Sequence, residues 1–178
     1  MRQLSRFGLV LVVMGILSAL IRLLRRRQLA DLRGETVLIT GSSRGLGLLL
    51  AREFGHEGCR VAICARDSSE LDAARDLLAQ EGVDDVFTVT CDVSDSTQVA
   101  EMIERTTEHF GRIDILVNNA GLIQVGPLET NTLQDFRDAV GVMQWGTVFC
   151  TLGVLPDMMR RRQGRIVNIT SIGGKLSI

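Results

Sequence analysis

Residues 36–47, TVLITGSSRGLG, pass from a short run of apolar and β-branched residues into a glycine-punctuated turn, then into a leucine-rich helical stretch. That order predicts the opening of a βαβ unit. Gly41, Gly45 and Gly47 permit a tight turn and let backbone N–H groups approach a pyrophosphate, whose charge is met by the helix dipole. Thr40, Gly41, Ser43, Arg44, Gly45, Leu46 and Gly47 are therefore candidate cofactor-binding residues. The spacing is G-x-x-x-G-x-G and differs from the general dinucleotide pattern G-x-G-x-x-G.

The same alternation continues outward from this stretch. Further strands are expected at 60–65 (RVAICA), 86–90 (VFTVT), 113–118 (IDILVN) and 165–170 (RIVNIT), each of the fully buried type. Helical periodicity fills the intervals near 45–57, 69–81, 95–110 and 133–162, with Ser94 as an expected N-cap. The fold class is α/β, a doubly wound parallel sheet with ligands at the carboxyl ends of its strands. Gly126 and Pro127 fall in a loop after the fourth strand, a usual place for ligand-facing turns.

Several motifs at successive strand ends give this sequence a resemblance to the short-chain dehydrogenase/reductase family. Asn118-Asn119-Ala120-Gly121 looks like its N-N-A-G motif, Cys91-Asp92-Val93 like its adenine-contacting pair, and 164–171 (GRIVNITS) like the strand ending at its catalytic serine. The resemblance covers residues 35–178 and implies a Rossmann-type domain over 34–178. It also implies roles: Asp92 and Val93 at the adenine, Asn119, Ala120 and Gly121 on the nicotinamide side, and Ser171 at the substrate. Asn118 would tie the fourth strand to neighbouring backbone.

Charge at the end of the second strand bears on the cofactor. A carboxylate there would accept from a ribose 2′-hydroxyl and repel a 2′-phosphate, and arginine does the reverse. Ala65 stands where NAD-preferring relatives carry aspartate, while Arg66 and Arg44 can converge on the adenosine end. NADP is the expected cofactor, ahead of NAD, with Asp67 weakening the positive field.

Three departures from the family stand out. The chain contains no tyrosine, and its single lysine, Lys175, is not placed as the catalytic lysine would be. Met143 occupies the position where the family carries a relay asparagine; Gln144 is adjacent, about 100° away around a helix. Trp145 and Phe149 are expected in the core. The family continues with another helix and two strands, so the chain is expected to be a C-terminally truncated piece with an open sheet edge.

A different segment precedes the domain. Phe7–Ile21 holds fifteen uncharged residues, and Leu23 and Leu24 extend the run past Arg22. Fifteen helical residues reach about 22 Å against a hydrocarbon core of about 30 Å, a gap that a snorkelling Arg22 narrows. Residues 1–33 are expected to form a membrane anchor and basic linker, spanning through 7–24 with the domain on the cytosolic side. A cleaved signal peptide and a helix buried against the domain or a partner are the competing readings. Gly15 and Ala19 allow pairing of two anchors, so a homo-oligomer is a further expectation.

The overall net charge of −1 hides this division: residues 1–33 carry seven arginines and one aspartate, and residues 34–178 carry thirteen basic and twenty acidic side chains. An acidic body argues against nucleic acid as a partner. Four scattered cysteines and two histidines provide neither a zinc pattern nor a disulfide framework, so no metal is expected. The functional expectation is an NADP(H)-dependent oxidoreductase interconverting an alcohol and a carbonyl on a lipophilic substrate, with the catalytic tyrosine and lysine absent from the chain. The alternatives are a noncatalytic, membrane-tethered NADP- or partner-binding module, or an inactive fragment.

Overall fold

Every residue of β1 (Thr36–Thr40) is buried, as a strand covered on both faces must be. The computed structural model describes residues 31–123 and 126–171. The expected anchor at 7–24, its basic linker through residue 30, and Lys175 all lie outside the described residues. β2 (Arg60–Ala65), β3 (Val86–Thr90), β4 (Ile115–Asn118) and β5 (Arg165–Asn168) join β1 in one sheet. All pairings are parallel, in the order β3-β2-β1-β4-β5.

Parallel neighbours need crossovers, and helices supply them. α1 (Gly45–His56), α2 (Ser68–Gln80) and α3 (Ser96–Phe110) serve the first three. The fourth contains α4 (Leu133–Val140), a π-helical turn (Gly141–Trp145) and α5 (Gly146–Arg161). Because strand order reverses between β1 and β4, the chain leaves their carboxyl ends toward opposite faces and opens a crevice there.

Alternation along the strands builds a separate core on each face. Val37, Ile39, Val61, Ile63, Ile115 and Val117 pack with Ala51 of α1 and with Leu71, Ala74 and Leu78 of α2. Leu38, Ala62, Cys64, Val89 and Leu116 face the other way, onto Val99 and Met102 of α3 and Cys150, Val154 and Met158 of α5. Burial of each large aliphatic side chain contributes about 1.5–3 kcal/mol. All four cysteines are buried free thiols.

Some expected boundaries shift for local reasons. Ser94 does not cap α3: Asp95 does, accepting from the N–H groups of Thr97 and Gln98 at 2.8 and 3.3 Å. Ser94 instead donates its N–H and hydroxyl to Asp92 Oδ1. The fourth strand starts at Ile115, two residues late, although Asp114 N–H already donates to the Thr36 carbonyl. β5 stops at Asn168, with one further rung from Ile169 N–H to the Asn118 carbonyl. Among the described strands β5 pairs only with β4, and three of its four residues are exposed.

The long helix is not uniform. Its π-helical turn lies between two glycines, and Gly146 is needed where the helix crosses the β3 loop, since a β-carbon there would sit 2.8 Å from Val93 Cγ2. Trp145 is not core: it is half-exposed and stacks on Phe149, with ring centroids 5.8 Å apart. Phe149 does pack against the core. Among the described residues one helix, Leu133–Arg161, is long and apolar enough to cross a membrane, but its Cys150, Val154 and Met158 lie in the sheet core.

Far from the crevice, Asp114 joins three elements. Its carboxylate is 1% exposed, accepts from Thr36 N–H at 3.0 Å and from Arg112 Nε at 3.1 Å, and pairs with Arg161 at 3.1 Å.

Candidate functional site

The glycine turn after β1 is built for close approach. Gly41 and Gly45 have φ of +63° and +59°, the left-handed region that favours glycine. A β-carbon on Gly41 would lie 2.7 Å from Ala120 Cα, and one on Gly47 would lie 2.4 Å from the Gly41 carbonyl oxygen. Gly45 meets nothing within 4 Å, so its requirement is conformational alone. Between them Ser42, fully buried, donates its hydroxyl to the Ile39 carbonyl at 2.6 Å and accepts from Cys64 N–H at 3.0 Å. Its side chain thus adds a rung between the ends of β1 and β2, a role that the sequence reading left unassigned.

Thr40 does not face the cleft. Its buried hydroxyl accepts from the N–H groups of Asn119 and Ala120, both at 3.0 Å. The Asn119 amide returns the contact by donating to the carbonyls of Thr40 and Gly41. Asn118 differs from expectation, because its amide donates to the side chains of Asn168 and Thr151 at 2.8 and 3.2 Å, not to backbone. It joins β4 to β5 and α5.

A cleft of about 840 Å³ opens over these loops, within the range of small-molecule sites. Gly41, Ser43, Arg44, Gly45, Leu46 and Gly47 line it from the first loop, Arg66, Asp92 and Val93 from the next two strand ends, and Asn119, Ala120 and Gly121 from the fourth. Asp67, Glu70, Leu122, Ile123 and Val142 also line it, and the sequence reading did not name them as site residues. Ser171 lies three residues beyond β5 and is not among the lining residues.

Helix starts around the sheet are treated unequally. α2, α3 and α4 are capped by the side chains of Asp67, Asp95 and Thr132. The start of α1 has no side-chain cap, so its N–H groups are available to an anion in the cleft.

At the β2 end of the cleft, Asp67 is turned to helix capping. Bonds from the Ser69 hydroxyl and then from the Glu70 and Ser69 N–H groups hold its carboxyl below the usual carboxylate range. Arg66 is exposed. Arg44 donates to Glu70 Oε1 at 3.0 Å, and the Ser43 hydroxyl donates to Glu70 Oε2 at 2.8 Å. One carboxylate on α2 therefore engages two candidate cofactor ligands. Next to Val93, Cys91 shares a hydrogen bond with Cys64 that holds the Cys91 thiol below its ordinary range.

Comparison with known proteins agrees with this geometry. The family model described as short chain dehydrogenase matches residues 35–178. The chain is 36% identical over 169 residues to dehydrogenase/reductase SDR family member 7B of Mus musculus, covering 93% of this chain and 52% of that protein. It is similar to the solved structure of an actinorhodin polyketide ketoreductase with NADPH, at 36% identity and TM-score 0.77, covering 81% of this chain and 56% of that one. A metagenomic short-chain oxidoreductase in complex with NADP is similar at 32% identity and TM-score 0.76, covering 84% and 67%. The chain spans about half the length of the curated relatives it matches. With the family model matched over residues 35–178, the chain belongs to the short-chain dehydrogenase family.

Proposed function

We propose that the chain binds NADP(H) in this cleft and serves an oxidoreductase that interconverts an alcohol and a carbonyl. The observation that carries the reading is the uncapped start of α1 behind a glycine turn at the sheet's order reversal. The residues fit a dinucleotide: Gly41, Gly45 and Gly47 line the cleft without side chains in front of the uncapped helix start. The N–H groups of the 41–47 loop would hold the pyrophosphate, and Arg44 and Arg66 the 2′-phosphate. By family resemblance Asp92 and Val93 would meet the adenine, and Asn119, Ala120 and Gly121 the nicotinamide side. The nicotinamide, when bound, supplies hydride chemistry.

Ser171 is the one member of the family's catalytic set that the sequence matches, and its hydroxyl would orient the substrate oxygen. A lipophilic substrate, an anchor through residues 7–24, a cytosolic domain and a homo-oligomer complete the reading; the apolar run before the domain supports the first two. That the relatives include structures with NADPH and NADP supports the cofactor.

A second reading has its own observation. With Met143 at the position where the family carries its relay asparagine, a noncatalytic NADP-binding module accounts for the same cleft. Titrating the full chain with NADPH by fluorescence, then following NADPH oxidation against a carbonyl panel, separates the two. Turnover supports the oxidoreductase, binding alone the module, and a folded chain that binds no dinucleotide overturns both.

A further inference from the structure

Glu70 engages Arg44, one of the two arginines proposed above for an adenosine 2′-phosphate, together with the neighbouring Ser43 hydroxyl. Its two carboxylate oxygens are divided between the Ser43 hydroxyl at 2.8 Å and the Arg44 guanidinium at 3.0 Å. Both partners line the cleft, as do Glu70, Ala65 and Arg66. Glu70 sits in the first turn of α2, held there by its own N–H bond to the capping Asp67. Its carboxylate is therefore an anion of the protein placed among the groups assigned to an anion of the ligand.

We infer that Glu70 sets the charge preference of the cofactor site, restraining Ser43 and Arg44 and opposing a 2′-phosphate. The inference rests on the cleft being the dinucleotide site proposed above. A 2′-phosphate must take Arg44 and Ser43 away from Glu70 and then sit beside a displaced carboxylate, and like charges in such proximity repel. A 2′-hydroxyl meets no such opposition, because a carboxylate can accept a hydrogen bond from it without leaving Ser43 or Arg44. Ala65 removes the usual carboxylate from the strand end, and Glu70 returns one from the neighbouring helix. Arg66 stands on the other side of the balance, exposed in the cleft wall. The preference for phosphate that the two arginines favour is thus weakened from within.

Binding of adenosine 2′,5′-bisphosphate and of 5′-AMP to the full chain, wild type and Glu70→Gln, by calorimetry tests this. The amide keeps the size of the side chain and an oxygen for Ser43 and Arg44 while removing the charge. The bisphosphate is expected to bind the variant about tenfold more tightly, with 5′-AMP changed less than twofold, as a partly exposed charge interaction allows. Raising ionic strength should shrink that gain, which a purely structural role would not do. Glu70→Ala provides a second variant with the same expected direction. Equal or weaker bisphosphate binding in folded variants, with the wild type binding both nucleotides, overturns this inference alone. Failure of the folded wild type to bind either nucleotide overturns the site reading and this inference with it.

Discussion

The Asn119 side-chain amide donates to the Gly41 carbonyl at 3.0 Å, so the loop after β4 holds the glycine turn after β1 across 78 positions of sequence. The same amide reaches the Thr40 carbonyl, and Thr40 reaches back to the Asn119 backbone. The two walls of the crevice are thereby fixed to one another before any ligand arrives, which lowers the ordering cost of binding.

Asn119→Ala removes that latch and leaves two carbonyls to find other donors. Stability is expected to fall by about 1–2 kcal/mol, read by urea unfolding, and NADPH affinity should fall with it. An unchanged midpoint and unchanged affinity would show that the Thr40 hydroxyl alone holds the loops.

Gly47→Ala places a β-carbon 2.4 Å from the Gly41 carbonyl oxygen and 2.6 Å from Asn119 Nδ2. Both neighbours belong to the latch, so the turn must open. A loss of about 1–3 kcal/mol is expected, together with loss of dinucleotide binding. By contrast Gly45→Ala meets no atom within 4 Å, and its cost should be confined to the left-handed backbone, roughly 1 kcal/mol.

Asp114 predicts an acid-side sensitivity. Burial pushes its carboxyl up, but the Thr36 N–H bond and the Arg112 and Arg161 guanidinium groups outweigh this and hold it below the ordinary range. A lowered folded value means its stabilisation is fully present above the unfolded value of about 3.9 and is lost as pH falls through the folded value. Asp114→Asn should lose about 2 kcal/mol at neutral pH and show a flatter melting-temperature curve between about pH 5 and pH 2. Parallel curves for the two proteins would remove Asp114 from the acid response.

Arg66→Ala tests the cofactor assignment from the arginine side. NADPH affinity is expected to drop about tenfold, with NADH affinity changed little, because an exposed guanidinium gains from the phosphate and has little to gain from a hydroxyl. Equal losses for both nucleotides would place Arg66 in the adenine pocket instead.

Strand placement was readable because each strand is a compact run of apolar and β-branched residues, and β1, β2 and β3 have the expected ends. The expectation of full burial holds for β1 and β4 but not for β3 or β5, which lie at the two edges of the sheet. The glycine turn was readable for a related reason, since its left-handed and crowded positions leave little choice of residue. What stayed hidden depended on partners distant in sequence. Arg44 was expected to face a phosphate, and Glu70, 26 positions away, could not be foreseen beside it. Asp67 read only as a charge weakening the positive field, because its capping bonds exist only once α2 forms. Trp145 read as core from its spacing to Phe149, but it closes the wide turn, which holds one extra residue, and stays half-exposed while Phe149 packs against the core.

That extra residue has an angular consequence. Each α-helical residue advances about 100°, so without the wider turn at Gly141–Trp145 the exposed Val140 and the buried Cys150 would sit only roughly 80° apart. Absorbing one residue moves them to about 180°. One segment of chain therefore directs Cys150, Val154 and Met158 inward while Leu133, Phe136 and Val140 point away. Deleting a single residue from 141–145 would remove the wide turn and leave nine α-helical steps, again about 180°, whereas winding all ten residues as regular α-helix would rotate the first half against the second by about 100° and turn its outer stripe toward the sheet.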